Sequence, residues 1–367
     1  MTNESSLFTQ TGLALPALRG RQGTRTMYLT LPTNSILNNF FPIDLEPAED
    51  RSQRSLDPNH ARQIGNYISS NPSEYALGAI TYAVDNEGVF TEVEPGSNIG
   101  ILRLPLDARL RSIDGQHRRE GIRLAIDAVS SLAAHTTALL IYVEDDLAKR
   151  RQMFSDMNNT ARKVSKALNV SYDGRDPFAR VAGAMAESHP LLAGRVERES
   201  SRVQPGSANL FTLSSIHDAL KRLFVGPSGR VKDSARFEEA DIEARGAALF
   251  TSLLEARPEL AAGSDNDMLN EIRARSILLS STTLRVVASS FWAASEELEE
   301  HIVDLASSFT SVLREVDFTP SAAIWADSGF VSPGRATPNA RSQEMKAASD
   351  ALTEILVNVH RAERKSL

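Results

Sequence analysis

Leu110-Arg111-Ser112-Ile113-Asp114-Gly115-Gln116-His117-Arg118-Arg119-Glu120-Gly121-Ile122 is the stretch on which the reading of this chain turns. An alternating run from Ile101 to Ile113 predicts a strand ending at Asp114-Gly115. Gln116 to Leu132 predicts a helix, because Gly121-Ile122, Leu124-Ala125, Ala128-Val129 and Leu132 recur on one face. A strand that ends in Asp-Gly and a helix that opens with Gln-His-Arg-Arg bring backbone N–H groups, a helix dipole and guanidinium groups to one point. Such a point attracts an anion, most naturally a phosphate. Asp-Gly is equally the mark of a plain tight turn, and an Arg-rich first helical turn is commonly just solvated.

Outward from this stretch the pattern alternates. Met27–Leu31 reads as a strand, Ser35–Phe40 as a short helix and 42–51 as a connection. Asp57-Pro58 is an N-cap followed by proline at the first helical position, opening a helix through Ala61, Ile64, Tyr67 and Ile68 that stops before Pro72. Gly78–Val84 is a strong strand, 85–100 a glycine-bearing hairpin region, and Thr137–Val143 a strand apolar enough to be central. Strand signals fade after about residue 145. Helices are predicted at 147–158, from Ser165, from the second Asp-Pro pair at Asp176-Pro177, and over 214–224, 235–255, 267–296, 299–316 and 339–364. Residues 186–209 and 319–338 read as loops. The expectation is an α+β chain: a flexible arm over 1–26 carrying Arg19, Arg21 and Arg25, an α/β domain over 27–145, and a helical domain over 146–367.

The 367 residues carry a net charge of −7, so any surface for DNA must be a local patch on a molecule that otherwise repels it. There are no cysteines, which excludes disulfides, thiolate catalysis and Cys-ligated metal within this sequence. No apolar run approaches a membrane span, and the first residues lack a basic start followed by an apolar core, so a cytoplasmic protein is expected. The seven histidines show no ligand spacing, and Walker, zincin and nucleophile-elbow patterns are missing.

At the central turn Gly115 would permit close backbone approach and the amides of Gln116 and His117 would donate to an anion. Arg118 and Arg119 would supply bidentate contacts, and Asp114 would cap the helix or hold a metal brought by a nucleotide. His117 would donate to phosphate or act as a general acid; a hydrogen-bonded helix-start histidine is the structural alternative. Asn158, Arg162, Lys163 and Lys166 form a second, basic constellation, for which a solvated basic face is the plain alternative; Arg175 stands in a third, 172–177, for which a plain turn and N-cap is the alternative, and both are read as secondary DNA contacts.

Asp114-Gly115-Gln116-His117-Arg118 reproduces the signature of the DGQHR-domain family, and more widely resembles the helix-opening Gly-x-x-Arg box of ParB and sulfiredoxin proteins, which binds nucleotide phosphates. Met153-Phe154-Ser155-Asp156-Met157-Asn158-Asn159, Ser165-Lys166-Ala167-Leu168-Asn169-Val170, Tyr172-Asp173-Gly174-Arg175-Asp176-Pro177 and Asn209-Leu210-Phe211-Thr212-Leu213-Ser214 follow in order. That series, over roughly residues 50–225, resembles the DndB family of DNA sulfur modification proteins. The resemblance implies a ParB/sulfiredoxin-like first domain and a negative transcriptional regulator that binds the promoter of a DNA phosphorothioate-modification operon. Its implied partners are DNA and the modification enzymes, with homo-oligomers possible and no membrane. The cysteine some members use in contacting DNA has no counterpart here. The enzymatic alternative is a component of a phosphorothioate or deazaguanine system that binds or hydrolyses nucleotide, ATP or CTP with Mg²⁺.

Overall fold

The computed structural model describes residues 12–43, 55–159, 164–231, 233–261 and 266–366. The chain divides into two compact units, 1–162 and 163–367. The expected domain break at 145/146 falls before a helix that goes with the first unit. Residues 1–11 of the expected arm, most of the 42–51 connection, and Arg162 and Lys163 lie outside the described residues.

The first unit is a mixed seven-stranded sheet with helices on both faces. Its elements in chain order are β1 (Gly12–Gln22), β2 (Arg25–Thr30), α1 (Asn34–Phe40), α2 (Pro58–Ser70), β3 (Ile80–Val84), β4 (Val89–Glu92), β5 (Ile99–Pro105), β6 (Leu110–Asp114), α3 (Gln116–Ala128), β7 (Leu139–Val143) and α4 (Leu147–Asn159). The spatial order is β4-β5-β1-β2-β7-β3-β6. Only β3 and β7 run parallel; the other pairs are antiparallel. As the apolar run at 137–143 predicts, β7 is central.

Two expectations are corrected. The arm is ordered over its described part: β1 and β2 pair through a turn at Gly23-Thr24, with Gln22 opposite Arg25. Pro16 is tolerated inside this strand because the β2 ladder begins only at Ala17, while the Pro16 carbonyl accepts a hydrogen bond from Thr30 Oγ1 at 2.8 Å. The single strand expected over 101–113 is two, β5 and β6, separated by a turn in which Ala108 N donates to Pro105 O and Arg109 N to Asp85 Oδ1.

The core explains the layering. Leu15, Tyr28, Ile80, Tyr82, Leu102 and Ile141 meet Leu37, Ile68 and Ile122 of the helices on one face. On the other, Ala83, Ile113 and Tyr142 are covered by Met153 of α4. Every residue of β3 is buried, as a strand sandwiched on both sides requires.

The second unit is helical: α5 (Lys166–Tyr172), α6 (Pro177–Ser188), a two-residue parallel ladder of β8 (Val196–Glu197) with β9 (Phe211–Thr212), α7 (Leu213–Val225), α8 (Glu239–Ala256), α9 (Asn266–Arg275), α10 (Ser281–Leu298), α11 (Ala306–Glu315), α12 (Ala323–Asp327) and α13 (Ser342–Ser366). The one helix expected over 267–296 is broken where Ser280 caps a new start by accepting from Thr282 N. Phe291 and Phe309 stack at 4.0 Å in its core, and Trp325 is fully buried. Among the described residues no helix is long and apolar enough to cross a membrane.

Candidate functional site

β6 ends at Asp114, and Gly115 turns the chain into α3 with φ +95° and ψ 16°. That φ suits glycine alone without strain. A Cβ there would also lie 2.9 Å from Arg118 Nη2 and 3.1 Å from Ile80 Cγ2. The bare Gly115 is therefore what lets the Arg118 guanidinium fold back over the helix start. Once there, Arg118 Nη2 donates to Asp114 Oδ2 at 2.5 Å, while its buried Nε has no hydrogen-bond partner. Arg118 is 27% exposed and Asp114 38%, so the pair is a partly solvated i,i+4 bridge worth about 0.3–0.5 kcal/mol. An arriving anion can displace it at little cost.

A second helix start stands beside the first. Asp57 caps α2 by accepting from Asn59 N, and its own N–H donates to His117 Nε2 at 2.9 Å. The His60 and His117 rings lie 5.0 Å apart. Farther along, a Cβ on Gly65 would meet Leu124 and one on Gly121 would meet Ile64 and the Ala61 carbonyl. Residues 57–65 thus run alongside 117–125 in the same direction, and the two helices are a close parallel pair. Each interior glycine costs about 1 kcal/mol against alanine, and the close approach is the return. Parallel packing sets the two helix starts side by side; that of α2 is capped by the Asp57 carboxylate, whereas that of α3 has no side-chain cap.

Those two ends open on a concave cavity of 430 Å³ lined by His60, Ile64, Asp114, Gly115, His117, Arg118, Phe154 and Asn158. Phe154 and Asn158 come from α4, on the other face of the sheet. Asn158 Nδ2 is held by the Phe154 carbonyl at 2.8 Å. Asp114 is the sole carboxylate among the lining residues, so a metal ion would find one protein oxygen here and would need the rest from its ligand. No group of three or more histidine or acidic side chains suited to a metal stands together among the described residues.

Of the predicted residues, Asp114, Gly115, His117 and Arg118 meet at the cavity, and Asn158 joins them rather than a separate basic patch. The side chain of Gln116 is buried and does not line it; the expectation for Gln116 concerned its backbone amide. Arg119 points the other way. At 8% exposed, its Nε donates to Phe41 O at 3.0 Å and its Nη2 to Asn38 O at 2.8 Å, fastening the end of α1 to α3. In the second unit, Lys166 Nζ is 2.7 Å from both Asp218 carboxylate oxygens, and Arg175 lies in the turn before α6 with its amide on Asp173 Oδ1. His60, Ile64 and Phe154 are not expected at this site from sequence, although Ile64 reads on the apolar face of its helix and Phe154 in the motif series. The cap at Asp57 marked the start of α2, but nothing in a linear pattern says which helix it lies beside.

The second unit carries a closed counterpart. Asp176 caps α6, accepts from His217 Nε2 at 2.9 Å and from Lys221 Nζ at 2.7 Å, and all three side chains are largely buried. Burial would raise the pKa of Asp176, but the His217 and Lys221 bonds and the Lys221 charge outweigh it and hold the carboxyl well below the usual carboxylate range.

A family model described as DndB, DNA-sulfur modification-associated, matches residues 15–358. The chain belongs to the DndB family. The match runs through both units, well beyond the motif series at 50–225, and so brings the helical half into DndB as well. Membership ties the chain to DNA sulfur modification. No curated protein and no solved structure matches it.

Proposed function

We propose that this DndB-family chain is a DNA-binding negative regulator of a DNA phosphorothioate-modification system. In this reading the mouth of α2 and α3 holds a backbone phosphate of its promoter DNA. The carrying observation is the convergence of two parallel helix starts, His60, His117 and Arg118 on one open cavity. Oriented amides and a guanidinium bound only by a weak bridge suit a phosphate oxygen. Lys166 and Arg175 of the second unit are further DNA contacts in this proposal, with Arg162 and Lys163, which lie outside the described residues. Phosphate contacts fix the register of a protein on DNA without reading its sequence, so specificity rests with other residues.

A salt titration of binding to promoter duplex tests the reading. Each neutralised phosphate steepens the fall of log affinity with log salt by about 0.9. Arg118→Ala should weaken binding to all duplexes alike and reduce the slope by about one. A flat slope in the wild type, or a variant that binds as the wild type does, overturns it.

One observation favours a second reading. The site is concave, and its 430 Å³ falls in the range of roughly 300–1,000 Å³ usual for small-ligand pockets. A nucleoside triphosphate such as ATP or CTP, bringing Mg²⁺, would use the same donors through its terminal phosphates, as the Gly-x-x-Arg box of ParB-like proteins does. Nucleotide binding that is lost in Arg118→Ala supports this reading; no binding of either nucleotide removes it.

A further inference from the structure

We infer that the first unit carries a self-association surface: the face of β4, β5, β1 and β2 that no helix covers packs against the same face of a second copy of this chain. This association is independent of the DNA reading and is tested without DNA.

The strand sequences give the first sign. In an antiparallel sheet with one face in water, apolar residues alternate with polar ones. β3 breaks that rule because both its faces are covered. β1 and β5 break it with only one face covered. Leu13 to Leu18 is apolar at every position, and β5 sets Ile99 and Ile101 on one side against Leu102 and Leu104 on the other. Leu15, Ala17, Leu102 and Leu104 are spent in the core beneath the helices. The opposite set has no such partner.

The register shows how that set is arranged. Leu18 stands opposite Leu29 of β2 and Ile99 of β5, and Pro16 stands opposite Ile101, itself opposite Thr91 of β4. Directly paired residues point to the same side of a sheet. Leu29 is in turn opposite Leu140 of β7, which packs against the cluster under α4. The row therefore lies on the α4 side, but α4 covers only the β7, β3 and β6 end of it, where Met153 meets Ala83, Ile113 and Tyr142. Toward β5 the row is open: Leu18 is 47% exposed and Ile99 53%, and Leu29 and Val89 are exposed with them. Just past the ends of β2 and β4, Leu31 and Val93 are exposed as well. Exposed apolar residues of the second unit, such as Met268 on α9 and Ile355 on α13, stand singly. Single ones need no explanation, whereas a contiguous row marks a contact surface.

Charge and size indicate a second copy as the occupant. No carboxylate stands among the strand residues of this face. Its cations are already engaged, Arg103 with Thr91 Oγ1 at 3.2 Å and Arg25 with Glu144 at 3.2 Å. A charged partner would find little to pair with. Copies of a chain with net charge −7 repel one another least where carboxylates are missing. A two-fold axis lays one apolar row on the other, as sheet faces pack in sandwiches. The face, with Leu31 and Val93, leaves roughly 500–700 Å² uncovered, so two copies would together bury more than about 1,000 Å², the size from which a specific interface holds. On the DNA reading, such a pair carries two phosphate cavities, as dimeric DNA-binding proteins carry two recognition elements.

Sedimentation equilibrium of the full chain, over roughly 1–100 μM, measures the mass in solution. Twice the mass of one chain is expected. Leu18→Lys, Leu29→Lys and Ile99→Lys each bring like charges together across the two-fold interface, from three different strands, and should weaken pairing at least about tenfold. All three side chains are exposed in the single chain, so each variant should keep its fold, which circular dichroism checks. Ile355→Lys, exposed on α13, should leave the pair intact. A wild type of one-chain mass throughout overturns the inference, whatever else covers the face. So does a pair that survives all three face substitutions, or one that Ile355→Lys weakens as much as they do. None of these results touches the DNA reading, which stands or falls on the salt slope of Arg118→Ala.

Discussion

The two units hold the same ingredients in two arrangements. Each has an Asp-Pro helix start, Asp57-Pro58 in α2 and Asp176-Pro177 in α6, and each is met by a histidine from another helix, His117 or His217. In the second unit the histidine donates to the aspartate, Lys221 supplies a further charge, and the group is closed and largely buried. In the first, His117 accepts the backbone N–H of Asp57, the carboxylate is exposed, and the neighbouring cation leans on a weak bridge beside an open cavity. The same residue types form a largely buried, closed cluster in one unit and a weak ion pair beside an open cavity in the other.

The sharpest break in that comparison is at Asp176. Asp176→Asn keeps the cap but leaves Lys221 largely buried without its counter-charge, and should cost about 3 kcal/mol in denaturant unfolding. The pH dependence follows from the depressed carboxyl. Its contribution is fully present above the ordinary aspartate pKa near 4 and is lost as pH falls toward the lower folded value. Wild-type stability should therefore drop below about pH 4 in a limb that the variant lacks. An equally steep acid limb in the variant would show that other carboxylates carry it. DNA binding at neutral pH should be unaffected.

Arg119→Leu comes next. It retains volume but withdraws two hydrogen bonds from the carbonyls of Asn38 and Phe41, and should cost about 2–3 kcal/mol. The salt slope of DNA binding should stay as in the wild type, which separates Arg119 from its neighbour Arg118. A reduced slope would place Arg119 among the phosphate contacts after all.

The two arginines also show what a sequence can and cannot disclose. Asp114-Gly115, Asp57-Pro58 and Asp176-Pro177 were legible, because caps and a positive-φ turn are local chemistry. The α+β division was legible because the hydrophobic period changes near residue 145. Whether Arg118 or Arg119 faces the cavity was not, since consecutive residues on a helix point about 100° apart and the packed face depends on α1. The β1–β2 hairpin was obscured by Gly12, Pro16, Gly20 and Gly23, which read as breakers until the paired strands show how Pro16 is accommodated. The parallel set of α2 and α3 depends on Gly65 and Gly121 facing each other, and nothing in either helix alone signals it.

Gly121→Ala tests that parallel pair. Its methyl would sit 2.6 Å from Ile64 Cγ2 and 3.1 Å from the Ala61 carbonyl. Overpacking of this kind costs about 1–3 kcal/mol, partly offset by the better helix propensity of alanine, so a net loss of about 1–2 kcal/mol is expected. Because the change pries the two helix starts apart, DNA binding should weaken although no lining charge is altered. Unchanged binding would show that one helix start suffices.

The smallest effect on stability carries the most information about the site. Asp114→Asn removes a partly solvated bridge and should change stability by no more than about 0.5 kcal/mol. For binding, two opposite outcomes are on offer. If Asp114 serves to hold Arg118 in place, its loss lets the guanidinium wander and affinity falls. If Asp114 occupies the position that a phosphate oxygen would take, its loss frees Arg118 and removes a like charge from the ligand's path, and affinity rises. The geometry favours the second. Gly115 and Ile80 already confine the guanidinium over the helix start, and its Nη1 lies against Gly78, so the carboxylate is not needed to position it. Affinity for ordinary duplex should therefore increase in Asp114→Asn, most at low salt. The same substitution in the closed cluster, Asp176→Asn, should leave it unchanged.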